Sequence, residues 1–386
     1  MKSVTHKHKH IKNKTLKIKN SQIPDDFKMI TVTINKDAVK KNLEYLRKLS
    51  KADVMPVLKA KAYGHGSLEM AKICRDLNVK YIGVATLGEA MKIRNSGDKG
   101  RILGWLYDVN SNQVKDAVAN NIDIGIFDET HIPIISKSLP KNAVANIHLF
   151  VDTGINRNGV PYEKAMDAAV EISKDPKFKL VGIMSHLCCA ETKKNNATHK
   201  QFKLFRKLRD DLLERNIKPE VFHISESNGT LNYDNSDFNL VRSGQAFYGL
   251  IKNKNLTPVM SLTSKIIQLK YVAKGEGIGY DKTYITKSKK YIGIVPVGYA
   301  DLIPLTKSEQ LFVYVNGTKR KVLGEESMDQ IVIEGNINDK LGDTVQFFGD
   351  KKHGFKQNLL EFVKKSSSNR YEMISHMGER VKNEYV

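Results

Sequence analysis

The chain has 386 residues, 40% of them hydrophobic, which is enough for a large buried core and more than one domain. Its 63 Lys and Arg residues against 42 Asp and Glu residues give a formal charge of +21. These charges are spread along the chain and not gathered in one motif, so we expect no nucleic-acid partner. No run approaches the roughly 20 apolar residues of a membrane span, so we expect no membrane partner either.

Residues 1–28 are basic and polar with few apolar positions, which predicts a disordered extension and not a secretory signal. The three cysteines, Cys74, Cys188 and Cys189, match neither a disulfide framework nor a zinc-binding spacing. We therefore expect no metal and a reducing, cytoplasmic location.

From residue 29 onwards, short β-rich runs alternate with amphipathic helical patterns. The predicted strands are 54–60, 81–86, 101–105, 122–127, 147–152, 180–186, 221–225 and 238–242. The predicted helices include 68–77, 87–95, 110–120, 162–174 and 199–216. Eight β/α units predict an α/β fold, a closed eight-stranded parallel (β/α)8 barrel of the TIM type over residues 29–255.

After residue 255 the pattern changes to strands joined by turns, with Asn316-Gly317 as a predicted hairpin turn. Residues 256–386 are therefore predicted to form a second, C-terminal domain that is mainly β. The run 29–34, which precedes the first helix, is a candidate strand of this second domain.

The active sites of β/α barrels lie at the carboxyl ends of the strands. The polar residues at these positions are Lys59, Arg157, His186, Ser227 and Arg242. A lysine there can form an imine with an aldehyde cofactor, and the loops after the last two strands commonly bind a phosphate. Taken singly, Lys59 could be a surface lysine, His186 a core histidine and Arg242 a salt-bridge partner. Their convergence on one end of the barrel favours a cofactor site.

Several motifs resemble those of one enzyme family, in the same order and at similar spacing. They are VLKAKAYGHG, HLFVDTGINRNG, MSHL, HISESNG, LVRSGQAFYGL, GYDKTY, PVGYADLIP and SMDQIVI. The first is similar to the cofactor-lysine signature of the bacterial alanine racemases, and the resemblance covers about residues 29–386. It implies an isomerase that uses pyridoxal 5′-phosphate on an amino-acid substrate. It also implies a homodimer in which the barrel of one subunit and the β domain of the other form each active site.

The resemblance implies two bases on opposite faces of the substrate. One is Lys59, which also holds the cofactor as a Schiff base, and the other is Tyr280 of the partner subunit. The resemblance places Arg157 near the cofactor phenolate and the substrate carboxylate, His186 beside the pyridine ring, and Arg242 opposite the ring nitrogen. Racemisation requires an α-proton to leave one face and return on the other, which two opposed bases can achieve.

The other implied site residues bind the cofactor phosphate or the substrate. The phosphate-binding set is Tyr63, Ser227, Gly244 and Gln245. The substrate-binding set is Arg157, Met328 through its backbone, Asp329 beside it, and Tyr299 at the entrance. The reaction expected from these residues is the interconversion of L-alanine and D-alanine, which supplies D-alanine for cell-wall peptidoglycan.

Three positions depart from the family pattern. Phe150 stands where many members carry a lysine that becomes carbamylated, so Arg157 needs another orienting partner or an anion. Glu226 stands where an asparagine is expected, and Glu379 where some members have a phosphate-binding tyrosine. Three alternatives remain open: a racemase of broader specificity for serine, lysine or arginine, a decarboxylase of related fold, and a protein that binds the cofactor without catalysis.

Overall fold

The computed structural model describes residues 29–193, 195–306, 311–364, 368–378 and 380–386. The predicted extension 1–28 and Glu379 lie outside the described residues. The first part of the described chain alternates strands and helices. Their bounds are β1 (Ile30–Ile34), α1 (Lys36–Ser50), β2 (Asp53–Pro56), α2 (Lys59–Tyr63), α3 (Ser67–Asp76), β3 (Tyr81–Thr86), α4 (Leu87–Asn95), β4 (Arg101–Leu106), α5 (Gln113–Ala119), β5 (Asp123–Ile126), α6 (His131–Ser138), β6 (Ala145–Asp152), β7 (Val160–Pro161), α7 (Tyr162–Lys174), β8 (Phe178–Met184), α8 (Asn196–Glu214), β9 (Val221–His223), α9 (Ser227–Asn232) and β10 (Leu240–Ser243).

The strands of this first part, apart from β1 and the short β7, form a parallel barrel. Strands β3, β4, β5, β6, β8 and β9 pair in that order, and β10 pairs in parallel with β2. A bridge between Val57 and Gly83 joins β2 to β3. The Arg242 amide donates to the Ser225 carbonyl at 3.0 Å, which joins β10 to the residues after β9. The predicted eight-stranded (β/α)8 barrel is confirmed.

Apolar side chains make up much of the barrel interior. The buried residues of this cluster are Met55, Tyr81, Leu103, Phe150, Met184, Val221 and Leu240, each from a different strand. Full burial of such a side chain contributes about 1.5–3 kcal/mol to folding. The barrel is therefore a packed core and not a channel, so a ligand has to bind at one end of it.

Local side-chain hydrogen bonds set the helix bounds. The Thr86 side chain accepts from the Glu89 amide and the Glu89 carboxylate accepts from the Thr86 amide, a capping box that begins α4. Both α4 and α7 have the bounds predicted from the sequence. Helix α5 begins three residues later than predicted, because the Asp108 carboxylate accepts from the Asn110 amide at 2.9 Å and holds this segment in a turn.

The second part of the chain is mainly β. Its elements are β11 (Met260–Lys265), β12 (Gln268–Val272), β13 (Gly277–Ile278), β14 (Tyr284–Ile285), β15 (Lys290–Val295), β16 (Phe312–Val315), β17 (Thr318–Lys321), β18 (Ile331–Glu334), β19 (Thr344–Phe348), α10 (Leu359–Val363), α11 (Arg370–Ser375) and β20 (Lys382–Tyr385). No helix within the described ranges has the length and apolar character needed to cross a bilayer.

The larger sheet of this part has the order β17-β16-β19-β11-β1-β20. Strand β1 pairs antiparallel with β11 and parallel with β20, so residues 30–34 lie in this sheet and not in the barrel. Asn316 and Gly317, with φ of 49° and 75°, join β16 to β17 and confirm the predicted hairpin turn. A smaller sheet has the order β12-β15-β18.

Candidate active site

The segment after β2 forms a left-handed turn immediately after Lys59. Ala60, Lys61, Ala62 and Tyr63 all have φ between 50° and 57°. This conformation costs roughly 1–2 kcal/mol per residue for L-amino acids, so it persists only where the surroundings enforce it. One such restraint is the Glu89 carboxylate, which accepts from the Ala60 amide at 2.7 Å. The turn brings the Lys59 and Tyr63 side chains to the carboxyl end of the barrel.

A cavity of about 280 Å³ opens at this end of the barrel. It is lined by every barrel residue that the sequence predicts for the site: Lys59, Tyr63, Arg157, His186, Ser227, Arg242, Gly244 and Gln245. Because these residues lie at the carboxyl ends of several different strands, only the closed barrel brings them together. The cavity walls also include Trp105, Phe150 and Met184.

The amine of Lys59 lies in a surrounding that favours its neutral form. Burial, and then the positive charge of Arg157, hold the pKa of Lys59 below its ordinary value, and Glu89 opposes the shift. The Nζ atom lies 5.9 Å from the centre of the Tyr63 ring. A neutral amine in a cavity can attack a carbonyl carbon, which a protonated amine cannot.

Tyr63, Ser227 and Gly244 form a polar cradle beside Lys59. A Cβ atom at Gly244 would lie 2.6 Å from the Tyr63 hydroxyl oxygen, so only glycine leaves the space open. The Ser227 hydroxyl accepts from the Ala246 amide at 3.1 Å and lies 3.4 Å from the Ser243 hydroxyl, which fixes its oxygen beside the cavity. Two hydroxyl groups and an open backbone suit an oxyanion such as a phosphate.

A buried chain of polar side chains leads from the cavity through the barrel. Arg242 donates through Nη1 to Nδ1 of His223 at 2.9 Å, and the other His223 ring nitrogen lies 2.9 Å from Nδ1 of His148. Nε2 of His148 faces the carboxylate of Asp123 at 3.4 Å, and Arg101 pairs with that carboxylate at 2.7 Å. These contacts hold the Arg242 guanidinium in one position at the cavity floor.

Burial and nearby positive charges determine the protonation states of Arg242 and His186. Burial lowers the pKa of Arg242 to about 10, so the guanidinium stays charged at neutral pH. Burial, together with the charges of Arg242, Arg157 and Lys59, lowers the pKa of His186 to about 3. His186 is therefore a neutral ring at the cavity wall. Its carbonyl oxygen accepts from Nε2 of Gln201 at 2.8 Å.

Comparison with known proteins decides the family. The family models "Alanine racemase, N-terminal domain" and "Alanine racemase, C-terminal domain" match residues 34–252 and 259–385. The chain belongs to the alanine racemase family. It is thus an enzyme of the isomerase class.

Individual relatives of the alanine racemase family match nearly the whole chain. The alanine racemase of Borreliella burgdorferi (strain ZS7) is 31% identical over 369 residues, covering 92% of this chain and 97% of the relative. That of Methanococcus maripaludis is 31% identical over 375 residues, covering 92% and 98%. The crystal structure of alanine racemase from D-cycloserine producing Streptomyces lavendulae superposes with a TM-score of 0.86 at 29% identity, covering 95% of this chain and 98% of that one.

Four residues assigned by resemblance to alanine racemases lie away from the cavity. Tyr280, Tyr299, Met328 and Asp329 belong to the second part of the chain and do not line the cavity. Tyr280, Met328 and Tyr299 are 70%, 52% and 41% exposed. Two of these segments are joined, since the Ala300 amide donates to the Met328 carbonyl at 3.1 Å. All four lie in segments between the strands of this second part.

One residue beside the site escaped the sequence analysis. The Tyr371 hydroxyl, from α11 in the second part, donates to Oε1 of Gln245 at the cavity edge. Burial raises the pKa of Tyr371 to about 12, so this hydroxyl keeps its proton. Its signal in the sequence was a tyrosine eight residues before Glu379.

The positions that depart from the alanine racemase pattern have clear structural roles. Phe150 is buried and packs in the barrel interior beside the cavity. Arg157 is exposed, with a 3.3 Å hydrogen bond from its Nε to Oδ1 of Asn158. The Glu226 carboxylate accepts from the amides of Asn228 and Gly229 at 2.8 and 2.9 Å, which caps α9. Burial raises the pKa of Glu226.

Proposed function

We propose that the enzyme interconverts L-alanine and D-alanine and that pyridoxal 5′-phosphate binds in the cavity at the end of the barrel. The observation that carries the proposal is the Lys59 amine, which has a lowered pKa and lies in the cavity beside the cradle of Tyr63, Ser227 and Gly244. An amine and an oxyanion cradle in one cavity fit the aldehyde and the phosphate of this cofactor.

The residues around the cavity also suit the ring of the cofactor. Lys59 would hold the aldehyde carbon covalently, and the cradle would hold the phosphate. Arg242 would face the ring nitrogen and His186 one side of the ring. When bound, the cofactor delocalises the electron pair that remains after the α-proton leaves.

Lys59 and Tyr280 divide the two proton transfers in this proposal. The Nζ amine of Lys59, whose pKa is lowered, accepts the α-proton on one face, and Tyr280 of the partner subunit donates a proton on the other. The guanidinium of Arg157 binds the substrate carboxylate. Arg242 keeps its positive charge opposite the ring nitrogen, which disfavours a proton on that nitrogen because two like charges would meet.

We propose that a homodimer completes the site. The 70% exposure of Tyr280 and its position outside the cavity support delivery of this residue by a second copy. In this arrangement residues 29–255 form the barrel domain and residues 256–386 the β domain, with 29–34 as a strand of the latter. The barrel of one copy then meets the β domain of the other.

The walls of the cavity favour a small side chain on the substrate. Trp105, Phe150 and Met184 narrow a space of about 280 Å³ that must also hold the cofactor. We therefore favour alanine over serine, lysine or arginine, the substrates of a broader racemase. The three cysteines form no disulfide, which is consistent with a location in the reducing cytoplasm. The D-alanine made there would supply the synthesis of peptidoglycan.

Chiral chromatography of L-alanine incubated with the enzyme and pyridoxal 5′-phosphate tests the activity. We expect D-alanine to accumulate until it equals the remaining L-alanine. In heavy water the α-carbon should take up deuterium from the solvent, and no carbon dioxide should be released. Borohydride reduction followed by peptide mapping should label Lys59, and a Lys61→Ala variant, changed at an exposed neighbour, should be labelled equally. A label on another lysine, or faster turnover of arginine or lysine, contradicts the proposal.

A further inference from the structure

Two adjacent cysteines lie where the cavity opens to solvent. Cys188 and Cys189 follow His186 by two and three residues in the segment after β8, and both are exposed. Cys188 lines the cavity itself, as do the neighbouring residues Ala190 and Glu191. The remaining cysteine, Cys74, is buried in the core. The exposed pair, which we term the mouth dithiol, plays no part in the mechanism proposed above.

The mouth dithiol is held in a fixed position. The Cys188 amide donates to Oε1 of Gln201 at 3.0 Å, and Nε2 of the same buried glutamine donates to the His186 carbonyl at 2.8 Å. The backbone of the pair is thus anchored to the wall that carries His186, with Cys188 lining the cavity and Cys189 exposed beside it.

The covalent geometry decides what such a pair can bind. Adjacent Cα atoms lie about 3.8 Å apart across a trans peptide, below the usual span of a disulfide, so a bond between the two sulfurs is disfavoured. Among the described residues no group of three or more His, Cys, Asp and Glu side chains is arranged to hold a metal, whereas a structural zinc ion needs four ligands. With a disulfide and a zinc ion excluded, the remaining candidate is a ligand that needs only two sulfur atoms.

We propose that the mouth dithiol is a binding site for a soft, thiophilic centre held by both sulfurs, such as trivalent arsenic or copper(I), and that its occupancy closes the cavity. With an arsenic(III) oxide, two As–S bonds form and the arsenic–oxygen bond breaks. The two thiol protons leave with that oxygen as water, and nothing is oxidised or reduced. With copper(I), two thiolates bind the ion and two protons are released.

Partial burial, and then the neighbouring Cys189 thiol, raise the pKa of the Cys188 thiol. The thiol is therefore protonated at neutral pH and reacts slowly with agents that need a thiolate, such as alkylating agents and peroxide. Capture by two sulfurs at once does not depend on one reactive thiolate. The mouth dithiol should thus discriminate in favour of reagents that bridge both sulfur atoms.

Phenylarsine oxide added to the full-length holoenzyme is the probe, read by intact mass and by titration of free thiols. We expect a single adduct that consumes two thiols, forms before iodoacetamide reacts, and is removed by 2,3-dimercaptopropanol. Cys188→Ser and Cys189→Ser should abolish the adduct, whereas Cys74→Ala, at the buried cysteine, should retain it. No adduct in the wild type, or an adduct in either serine variant, overturns the proposal.

Closure of the cavity is measured in the same samples as the rate of racemisation, and only this readout rests on the function proposed above. We expect the rate to fall by more than about tenfold on arsenical binding and to recover with the dithiol, while Cys189→Ser stays insensitive. An adduct that leaves the rate unchanged refutes closure. Copper(I) buffered with a chelator should bind the wild type and not the serine variants, and equal binding to all of them excludes the copper assignment.

Discussion

Arg242 and His223 share a hydrogen bond of 2.9 Å inside the barrel, and both side chains are buried. An arginine can only donate, so Nδ1 of His223 accepts and its proton sits on Nε2. That proton points to Nδ1 of His148 at 2.9 Å, so the ring proton of His148 sits on Nε2 and faces Asp123. The direction of every donor in this chain is therefore fixed by the arginine at the cavity floor.

Replacement of His223 should loosen that arginine. His223→Ala removes the partner of two buried groups at once, and each unsatisfied buried polar group costs about 1–3 kcal/mol. We expect a lower melting temperature, a shifted cofactor absorbance and a reduced kcat. His199→Ala, at an exposed histidine, is the matched control and should change none of the three. A His223→Ala enzyme with an unaltered spectrum and rate would show that the row of buried histidines does not position Arg242.

Buried neutral histidines should make stability fall in mild acid. Burial lowers the pKa of His65 to about 4, whereas the unfolded chain titrates near about 6.5. The folded state binds fewer protons in this window, so the contribution of His65 is complete above about pH 6.5 and is lost as the pH falls toward 4. The expected loss from this residue between pH 7 and pH 5 is about 2 kcal/mol.

Urea unfolding at those two pH values measures the effect. In His65→Asn the difference between them should shrink by about that amount, because asparagine can still donate to the Ala62 and Tyr63 carbonyls but does not titrate. His199→Asn should keep the full difference. An unchanged difference in His65→Asn would assign the acid sensitivity to other groups, such as His223, whose pKa burial also lowers.

The cradle at Gly244 can be tested by filling it. In Gly244→Ala the new Cβ atom lies 2.6 Å from the Tyr63 hydroxyl, so the tyrosine must move and the space for the phosphate closes. We expect the affinity for pyridoxal 5′-phosphate, from absorbance titration, to fall by more than about tenfold while the apoprotein stays folded. In Gly88→Ala the nearest atom is 3.8 Å away, and this variant should bind normally.

Mixed dimers test whether two subunits share each site. Lys59→Ala and Tyr280→Phe should each lose most turnover, and Tyr280→Phe should retain the cofactor absorbance. After unfolding and refolding an equal mixture, half of the dimers carry one site with both wild-type residues, so roughly one quarter of the wild-type rate should return. If both residues of a site came from one chain, the mixture would stay as inactive as its components.

Much of the barrel could be predicted because its strands and helices carry strong periodic patterns. Each of the eight predicted runs overlaps a barrel strand, and α4 and α7 have the predicted bounds. The cavity residues could also be predicted from the sequence, because the carboxyl ends of the strands converge in a barrel. His148 and His223 were missed although a signal existed. His148 lies two residues before Phe150, on the same face of β6, so alternation places both inside the barrel.

The left-handed turn after Lys59 could not be predicted. Its sequence, KAKAY, consists largely of residues that favour a right-handed helix. The opposite hand is enforced by contacts distant in sequence, such as that between Ala60 and Glu89. Tyr371 was missed for a similar reason, because only the folded chain brings α11 against Gln245.

Strand β20 ties the loop that follows the left-handed turn to the β sheet. The Tyr385 hydroxyl donates to the His65 carbonyl at 2.8 Å, and Nδ2 of Asn383 donates to the Gly64 carbonyl at 3.1 Å. Lys59, the proposed cofactor lysine, is thus made early on the ribosome, whereas the residues that restrain the loop after it are made some 320 residues later. A nascent chain lacking residues 383–385 is without these two hydrogen bonds to the loop, so we expect cofactor capture to mature only after their release.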